Sequence, residues 1–400
     1  MWEEREALPM KERILKLGKA YETQVIRWRR ELHRFPELGG QEYRTAALVE
    51  ETAKRLGLTV LTVGQTGRIV ILETGKPGKT VLLRADMDAL PVPEHPENLK
   101  GARQVISENP GCSHACGHDA HTAMLLGAME ILSQLRAELS GRVVFCFESD
   151  EENGSGWPVQ LPVLESLNID RCFAIHVLSS LESGIVNIAD GARMSGMVAV
   201  NAEFVGRGGH GSRPDLSVNP VFAAAAALGN LASAAANQVE SGQILTLGIT
   251  SIQGGLAFNV IPDRAKVLGS MRYFKKEVGE QALGMLKNVF DHTAAIHRCT
   301  VEYDPQTRIY LEPTVNDPEA AALARRAIPQ QWQGDCGLWY ASETFSVCLS
   351  RWPGALAFLG IRNEEAGSGA EHHNERFDVD ESALWRGAVC YAAFAVEAMQ

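Results

Sequence analysis

Three short, almost entirely apolar runs constrain the fold of this chain most. They are Thr80–Ala85, Val143–Phe147 and Phe173–Val177. Such runs are typical of strands that are buried on both faces, as in a parallel sheet covered by helices. Between the first two lies Thr122–Leu135, in which leucine and alanine recur at helical spacing. The alternation of strand, helix and strand predicts an α/β sheet in this part of the chain.

The pattern changes after Gly191, where apolar and less apolar residues begin to alternate, as in half-exposed strands. The predicted elements there are a strand at Val198–Phe204, an Ala-rich helix from Pro220, strands at Ile244–Ile252 and Ala265–Tyr273, a helix at Glu277–His297 and a strand at Thr300–Tyr303. This order, βαββαβ, is that of a ferredoxin-like unit. We therefore predict one domain from residues 1–192 and 308–400, with a second domain, residues 193–307, inserted into it.

The densest group of metal-ligating side chains lies in residues 112–121, CSHACGHDAH, where five of the ten residues are Cys or His. Cys116 and His118 flank a glycine, which frees the backbone to aim both side chains at one point. Thiolate and imidazole suit zinc and other borderline divalent ions. Considered alone, the stretch is also compatible with a solvated loop that is rich in His.

Four carboxylates follow the second apolar run: Glu148, Asp150, Glu151 and Glu152. In open α/β sheets, the carboxyl ends of strands are where ligands bind. Like charges at this density repel one another, and a bound cation would relieve the repulsion. In an extended segment, Glu151 and Glu152 would point to opposite sides, so that one would ligate a metal while the other faced the substrate. An acidic loop in an acidic protein is the alternative for this segment alone.

Two further segments supply histidines. His176 is near the end of the third apolar run, and His372 and His373 follow a Gly-Ser-Gly turn. Taken singly, His176 also fits a hydrogen-bonded core residue, and the His pair fits an exposed loop. Together with the preceding segments, they offer Cys, His and Glu ligands from loops after different strands. That set is sufficient for a two-metal centre of the kind that hydrolyses amides and esters.

A Gly-rich turn, Gly206–Pro214, lies in the predicted inserted domain and presents His210. It is compatible with a plain hairpin loop. A histidine on a separate domain gains a chemical role if that domain closes over the metals.

The charge balance bears on partners and location. Lys and Arg number 38 against 49 Asp and Glu, a net charge of −11, which argues against a nucleic-acid or anionic-membrane surface. The uncharged window Leu216–Val239 is rich in Ala and carries several Asn and Ser residues, so we interpret it as a helix of a soluble protein rather than a membrane span. Met1–Arg13 is charged and amphipathic, without an apolar signal segment, and the eight cysteines are scattered. These features predict a cytoplasmic protein with reduced thiols.

Taken together, the motifs resemble the peptidase M20 family, in the branch of N-acyl-amino-acid amidohydrolases that includes hippurate hydrolases and auxin-conjugate hydrolases. The matching segments, in the order of the family, are Arg29–Leu38, Arg84–Glu94, His114–Ala128, Glu151–Glu152, His176–Val177, Gly206–Asp215, Gly254–Asp263, Pro313–Glu319, Ser342–Phe345 and His372–Glu381. They extend over nearly the whole chain.

The resemblance implies a zinc-peptidase-like α/β catalytic domain with an inserted ferredoxin-like lid or dimerisation domain. It implies hydrolysis of the amide bond of N-acyl amino acids or related small conjugates, with a dipeptidase or carboxypeptidase-type activity at the same centre as the alternative. The expected cofactors are two divalent ions per subunit, Mn, Zn, Co or Ni, and the expected partners are the small substrate and a second subunit in a homodimer.

The same resemblance implies a role for individual residues. The implied metal ligands are Cys116, His118, Glu152, His176 and His373. His373 is implied rather than His372, because the family places its ligand four residues before a Phe, here Phe377. Glu151 is implied as the general base. His210 and Asn259 are implied to reach the substrate from the inserted domain, in this family often across the dimer.

The sequence also departs from the family. Glu148-Ser149-Asp150 replaces the usual Gln-Pro-Ala, and Thr344 replaces an acid in the usual Ser-Glu-Asp-Phe. We expect the added carboxylates to make the site more acidic.

Two other classes of function provide alternatives. A cysteine hydrolase with Cys116 as nucleophile and His118 or His121 as base would survive chelation and be inactivated by alkylation. A non-catalytic binding protein with the same fold would be marked by loss of the base or of ligands, yet all six of these positions hold the expected residue.

Overall fold

The computed structural model describes residues 8–400, so the start of the predicted amphipathic segment Met1–Arg13 lies outside the described residues. The helices are α1 (Met10–Arg34), α2 (Tyr43–Arg55), α3 (His118–Leu135), α4 (Trp157–Glu165), α5 (Pro220–Gln238), α6 (Lys276–Ile296), α7 (Pro318–Ala327), α8 (Ser346–Leu349) and α9 (Leu384–Ala398). The strands are β1 (Thr59–Val63), β2 (Gly67–Glu73), β3 (Thr80–Asp86), β4 (Arg142–Glu148), β5 (Arg171–Glu182), β6 (Val186–Asn187), β7 (Gly191–Met194), β8 (Gly196–Val205), β9 (Gly209–His210), β10 (Leu245–Gln253), β11 (Val260–Ile261), β12 (Arg264–Tyr273), β13 (Thr300–Tyr303), β14 (Ile309–Leu311), β15 (Thr314–Asn316) and β16 (Gly354–Arg362).

The chain folds into two compact units. The first contains the chain up to Gly191 together with Val315–Gly337 and Val347–Gln400, and the second contains Ala192–Thr314 and Leu338–Ser346. Compared with the predicted domains, the second unit also takes in residues 308–314 and the segment 338–346. The roles of catalytic domain and lid stay a prediction for these units.

A seven-stranded mixed sheet forms the centre of the first unit, in the order β1-β2-β4-β3-β5-β16-β6. Its four middle strands run parallel to one another, whereas β1 pairs antiparallel with β2, β2 with β4, and β6 with β16. The three apolar runs are thus adjacent strands, and all seven residues of β3 are buried. The predicted α/β sheet is confirmed, and the carboxyl ends of its middle strands meet at one edge.

Helix α3 packs against this sheet and against two other helices, α1 and α9. It begins at His118, four residues earlier than the predicted helix, because Gly117 adopts a left-handed conformation (φ +93°) that turns the chain into its first residue. Helix α9 is bound to the sheet through Tyr391, whose hydroxyl donates to the Arg84 carbonyl (2.7 Å) and accepts from the Ile175 N–H (3.0 Å). These contacts fix the neighbouring strands β3 and β5 at the level of the site described below.

The second unit has a four-stranded antiparallel path, β10-β12-β8-β13, and β14 also pairs with β8. Helices α5 and α6 pack together on this sheet. Strand β8 alternates strictly between buried and half-buried residues, as the sequence pattern predicts. The chain order of these elements is βαββαβ, so the predicted ferredoxin-like unit is confirmed. Across residues 8–400, no helix combines the length and apolarity that a membrane crossing requires.

Candidate metal centre

The candidate site lies at the carboxyl edge of the sheet in the first unit. Strand β3 ends at Asp86 and its parallel neighbour β4 ends at Glu148, and these two residues are register partners. On the other side of β3, β5 carries His176. Because α3 begins at His118 close to this edge, the segments that hold the implied ligands come together from four separate parts of the chain.

The five implied ligands converge into one cluster. Cys116 Sγ lies 3.7 Å from His176 Nε2, and Glu152 Oε1 lies 3.8 Å from His118 Nε2 and 3.4 Å from His373 Nε2. Three overlapping groups have ligand atoms that all lie within 4.8 Å of one another: Cys116–His118–His176, Cys116–Glu152–His373 and His118–Glu151–Glu152. Since the groups share Cys116, His118 and Glu152, they form a continuous set of donors.

Two atoms of this cluster test whether it fits a cation. His118 Nε2 and Glu152 Oε1 are buried and have no hydrogen-bond partner among the described residues. A buried polar atom without a partner is destabilising, by roughly 1–3 kcal/mol. Thiolate, imidazole and carboxylate are donors for Zn and neighbouring divalent metals. Both the donor set and the unpartnered atoms therefore fit divalent ions.

Burial shifts the pKa values of two side chains in the cluster, Cys116 and His176. Burial, together with the nearby charge of Glu152, raises the pKa of the Cys116 thiol well above its ordinary value. This makes Cys116 a poor nucleophile in its own right, which disfavours the cysteine-hydrolase alternative. Burial and the neighbouring His121 lower the pKa of His176 well below its ordinary value. His176 is thus a neutral imidazole, and its Nδ1–H donates to the Val177 carbonyl (2.7 Å), which leaves the Nε2 lone pair towards Cys116.

The Cys116–Gly117–His118 turn requires its glycine for two reasons. The left-handed φ of +93° is strained for any residue with a Cβ, and a Cβ at Gly117 would lie 2.4 Å from Val177 Cγ2. Because Val177 follows His176 directly, the turn and the strand approach each other closely where two implied ligands face one another.

The segment that carries Glu151 and Glu152 differs from the prediction. It is a turn rather than an extended segment, because Asp150 adopts a left-handed conformation (φ +54°) two residues after the end of β4. The two carboxylates therefore do not point to opposite sides: each offers an oxygen within 4.8 Å of the other and of His118. Glu151 is buried, and the Glu152 side chain is 17% exposed.

Two aspartates that were not singled out from the sequence, Asp86 and Asp88, lie beside this cluster, and Asp88 orients two of its members. Asp88 Oδ1 accepts a hydrogen bond from His118 Nδ1 (3.1 Å), and Asp88 Oδ2 accepts one from the Glu152 N–H (3.1 Å). Partners of this kind set the tautomer and direction of a ligating imidazole. The available signal was the pair of aspartates at alternate positions directly after a buried strand, in Arg84-Ala-Asp86-Met-Asp88.

Asp86 serves a different histidine. Its Oδ1 accepts from His121 Nδ1–H (2.6 Å), and His121 Nε2 accepts the Val177 N–H (2.8 Å). Asp86, His118 and His121 also lie within metal-binding distance of one another. Since both ring nitrogens of His121 are engaged, we interpret His121 as a buried structural residue.

The two adjacent histidines near the C-terminus divide their roles. His372 Nε2 accepts the Ser179 N–H (3.2 Å), and burial lowers the pKa of His372 to about 3. His373 adopts a left-handed conformation (φ +63°), donates its N–H to the Ala115 carbonyl (2.8 Å) and presents its ring to Glu152. This geometry favours His373 over His372 as a ligand.

Two side chains of helix α1, Arg29 and His33, contact Asp119, the residue that follows His118. Asp119 Oδ2 lies 2.7 Å from His33 Nδ1 and 3.0 Å from Arg29 Nε, while His33 Nε2 lies 2.7 Å from Glu94 Oε1. Burial and the Arg29 charge lower the pKa of His33, but the hydrogen bonds that its ring donates to the two carboxylates more than offset this effect, so the pKa lies above its ordinary value. His33 lies buried between two carboxylates, an arrangement that favours its imidazolium form.

His210 and Asn259 belong to the second unit, where the structure brings their segments together. Val260 pairs with His210 between β11 and β9, and the Gly211 N–H donates to the Asn259 carbonyl (2.8 Å). Both side chains are exposed. His210 Nδ1 accepts the Ser212 N–H (3.2 Å), so that the ring proton lies on Nε2 and is available for donation.

Comparison with known proteins places these observations in a family. The model of peptidase family M20/M25/M40 matches residues 82–397. The chain is 34% identical over 385 residues to thermostable carboxypeptidase 1 of Saccharolobus solfataricus (94% of this chain and 95% of the relative), and 32% identical over 387 residues to N-acetylcysteine deacetylase of Bacillus subtilis (94% and 97%). A crystal structure of a dinuclear metal-binding peptidase of the M20 family from Bacillus subtilis superposes with a TM-score of 0.81 at 28% identity, covering 95% of this chain and 99% of that one.

The fold and the site thus define a metal-dependent hydrolase with an inserted ferredoxin-like unit. The chain belongs to peptidase family M20/M25/M40.

Proposed function

We propose that this protein hydrolyses the amide bond of N-acyl amino acids or related small amide conjugates at a centre of two divalent ions. The observation that carries the proposal is the convergence of Cys116, His118, Glu152, His176 and His373, together with the two buried donor atoms that lack a partner. The similarity to N-acetylcysteine deacetylase supports the choice of an N-acyl amino acid as substrate.

Glu151 is the general base in this proposal. Divalent ions bound at the cluster would supply a water of lowered pKa and polarise the amide carbonyl. Glu151, which is buried beside His118 and Glu152, accepts the proton of the attacking water and then delivers it to the leaving amine. Asp88 keeps His118 and Glu152 in place during this transfer, because it holds one side chain and one backbone N–H at once.

His210 and Asn259 act on the substrate from the second unit. His210 presents an Nε2–H donor on an exposed turn, which suits stabilisation of a developing oxyanion. We also propose a homodimer through this unit. Its edge strand β10 has neither Pro nor charge along nine residues, and Leu256 and Phe258 nearby in sequence are fully exposed, so the edge suits pairing with a second copy.

Subunit exchange tests whether His210 acts across that dimer. His210→Ala and Glu151→Gln proteins, each expected to have strongly reduced turnover alone, are mixed under conditions in which heterodimer formation is shown directly. If His210 acts in trans, each heterodimer has one intact site, and activity recovers towards half that of the parent. Proven exchange without recovery would show that His210 acts on its own chain or not at all.

Metal removal tests the centre itself. Dialysis against a chelator should abolish hydrolysis of an N-acetyl amino acid, and Mn, Zn, Co or Ni should restore it. Alkylation of the metal-loaded enzyme provides the comparison with the cysteine-hydrolase alternative. A metal-free preparation with full activity would contradict the proposal.

The adjacent glutamates allow a matched test of roles. Glu151→Gln keeps the shape and removes the proton acceptor, so metal content should persist while turnover falls by about 10²–10⁴-fold. Glu152→Gln should instead lower the metal content, because it removes a ligand charge from the cluster. If the two variants behaved the other way round, the assignment of the pair would be reversed.

A carboxypeptidase or dipeptidase activity is the second candidate, which the similarity to thermostable carboxypeptidase 1 favours. A panel of N-acetyl, N-benzoyl, long-chain N-acyl and indole-acetyl amino acids, with dipeptides and blocked peptides, separates the two by kcat/KM. The proposal expects the highest kcat/KM on an N-acyl amino acid, whereas a preference for peptides with a free amino group would favour the second candidate.

A further inference from the structure

Glu42 is a buried carboxylate that the proposed chemistry does not use. It directly precedes α2 and has no exposed surface. Its Oε2 accepts a hydrogen bond from the Thr66 hydroxyl (2.6 Å), and its Oε1 accepts one from the Asp150 N–H (2.7 Å). Burial raises the pKa of Glu42 above its ordinary value, whereas the two hydrogen bonds act in the opposite direction. One of the two bonds reaches the turn that carries the glutamate pair.

The side chain of Asp150 stabilises that turn through hydrogen bonds with two residues that follow it. The Asp150 carboxylate accepts hydrogen bonds from Asn153 Nδ2 (2.6 Å) and from the Ser155 hydroxyl. Its side chain also lies against Gly39, where a Cβ would come within 1.9 Å of Asp150 Oδ1. Because both side-chain oxygens of Asp150 face its own turn, the backbone N–H of Asp150 is the atom through which Glu42 holds it.

The turn is therefore held at two points that flank Glu151. Glu42 binds the N–H of Asp150 on one side, and Asp88 binds the N–H of Glu152 on the other. Asp150 needs such support, because a residue other than glycine in the left-handed region is strained. The geometry of the proposed base and of one proposed ligand thus depends on a contact from a distant segment of the chain.

We infer that Glu42 is a positioning residue that preorganises the Glu151–Glu152 turn for metal binding and proton transfer. The inference rests on the proposed function. Removal of partners that orient metal ligands typically lowers metal affinity or activity by about 10- to 100-fold, and a similar loss is expected here.

Three variants separate positioning from general support of the fold. Glu42→Met keeps the length of the side chain and removes both acceptors. Glu42→Gln keeps an oxygen for the Asp150 N–H, and its amide can donate to the Thr66 hydroxyl. Thr66→Val is the matched control, because it removes the other hydrogen bond of the same carboxylate and leaves the contact with Asp150 in place.

The readouts are the affinity for Mn²⁺ alone, measured by competition with a chelating dye, and kcat and KM for an N-acetyl amino acid. Glu42→Met should weaken Mn²⁺ binding and lower kcat, each by about 10- to 100-fold, with a smaller change in KM. Glu42→Gln should restore both to within a few-fold of the parent. Thr66→Val should lower the thermal midpoint but leave Mn²⁺ affinity and kcat near those of the parent.

Equal Mn²⁺ affinity and kcat in Glu42→Met and Thr66→Val would overturn the inference, as would a Glu42→Gln protein as defective as Glu42→Met. Hydrogen exchange of the metal-free parent supplies a test that needs no folded Met variant. The hydrogen-bonded amides of Asp150, Glu152 and Gly154 should be protected, and exchange of these amides at the rate of an open loop would contradict preorganisation. If the parent itself neither bound Mn²⁺ nor hydrolysed amides, the proposed function would fail, and the exchange result would still report on the turn.

Discussion

Replacement of Gly117 by alanine is the substitution for which the structure gives the clearest magnitude. The left-handed φ of +93° costs about 1–2 kcal/mol for a residue with a Cβ. The new Cβ would also lie 2.4 Å from Val177 Cγ2, and Val177 is fully buried in β5, so the contact can be relieved only by moving the strand or the turn. Overpacking of this kind costs about 1–3 kcal/mol. The two effects together predict a loss of about 2–5 kcal/mol in the free energy of unfolding.

Gly57 provides a matched control. It also has a positive φ (+68°), directly after α2, but a Cβ there would meet no atom within 4 Å. Gly57→Ala should therefore lose only the conformational part, about 1–2 kcal/mol. Denaturant unfolding of both variants in metal-free buffer measures the difference.

The same pair distinguishes strain at the site from strain elsewhere. In Gly117→Ala, the movement of the turn or strand that relieves the new contact would change the positions of Cys116 and His176 relative to each other. The Mn²⁺ affinity should therefore fall by tenfold or more, as for other disturbances of ligand orientation. In Gly57→Ala, the Mn²⁺ affinity should not change. Equal losses of stability in the two variants, with unchanged Mn²⁺ affinity in Gly117→Ala, would refute the reasoning.

Three further predictions follow from the described contacts. Because the folded-state pKa of His33 is raised, the stability that its charge contributes is complete below the unfolded pKa of about 6.5 and is lost as the pH rises through the folded pKa. The difference in free energy of unfolding between the parent and His33→Gln, measured with denaturant, should therefore shrink as the pH increases. A difference that grew with pH would contradict the charged state. Cys116→Ser should bind Mn²⁺ and Zn²⁺ more weakly than the parent in dye competition, since a hydroxyl is a poorer ligand than a thiolate, and unchanged affinity would exclude Cys116 as a ligand. His373→Ala should lose metal with little change in stability, because the His373 side chain is 52% exposed. His372→Ala should keep metal, but its free energy of unfolding should fall by about 1–3 kcal/mol, because the Ser179 N–H loses its hydrogen-bond acceptor. The reverse pattern would make His372 the ligand.

Much of the architecture could be predicted because its signals are local. The strands β3, β4 and β5 are short apolar runs, and the pattern of β8 alternates at every residue, so each type of strand was evident from the sequence. Helix α9 was not predicted, because nearly every residue of it is buried and it therefore shows little contrast between two faces. The segment 338–346, which the structure assigns to the second unit, has no periodic signal of its own.

The site divides in the same way. The individual side chains with metal-binding chemistry were recognisable from the sequence. The family resemblance then indicated which of them act together as ligands. What the sequence did not reveal was the turn at Asp150, because a left-handed residue other than glycine leaves no compositional trace. The contacts of Asp88 and Glu42 with backbone N–H groups were equally hidden, since they join segments that are 64 and 108 residues apart.

The added carboxylates at 148 and 150 both have partners within the protein. Glu148 is fully buried and binds Arg84 through Nε (2.6 Å) and Nη2 (2.5 Å), and the same guanidinium binds Asp86 (2.9 Å). Asp150 is engaged by the side chains of its own turn. Arg84 therefore offsets one of the two negative charges of Glu148 and Asp86. Asp86 also accepts a hydrogen bond from the His121 ring. The expectation that these carboxylates make the site more acidic stays a prediction, and the contacts show that neither of them is an isolated charge: Glu148 pairs with Arg84, and Asp150 binds the side chains of its own turn.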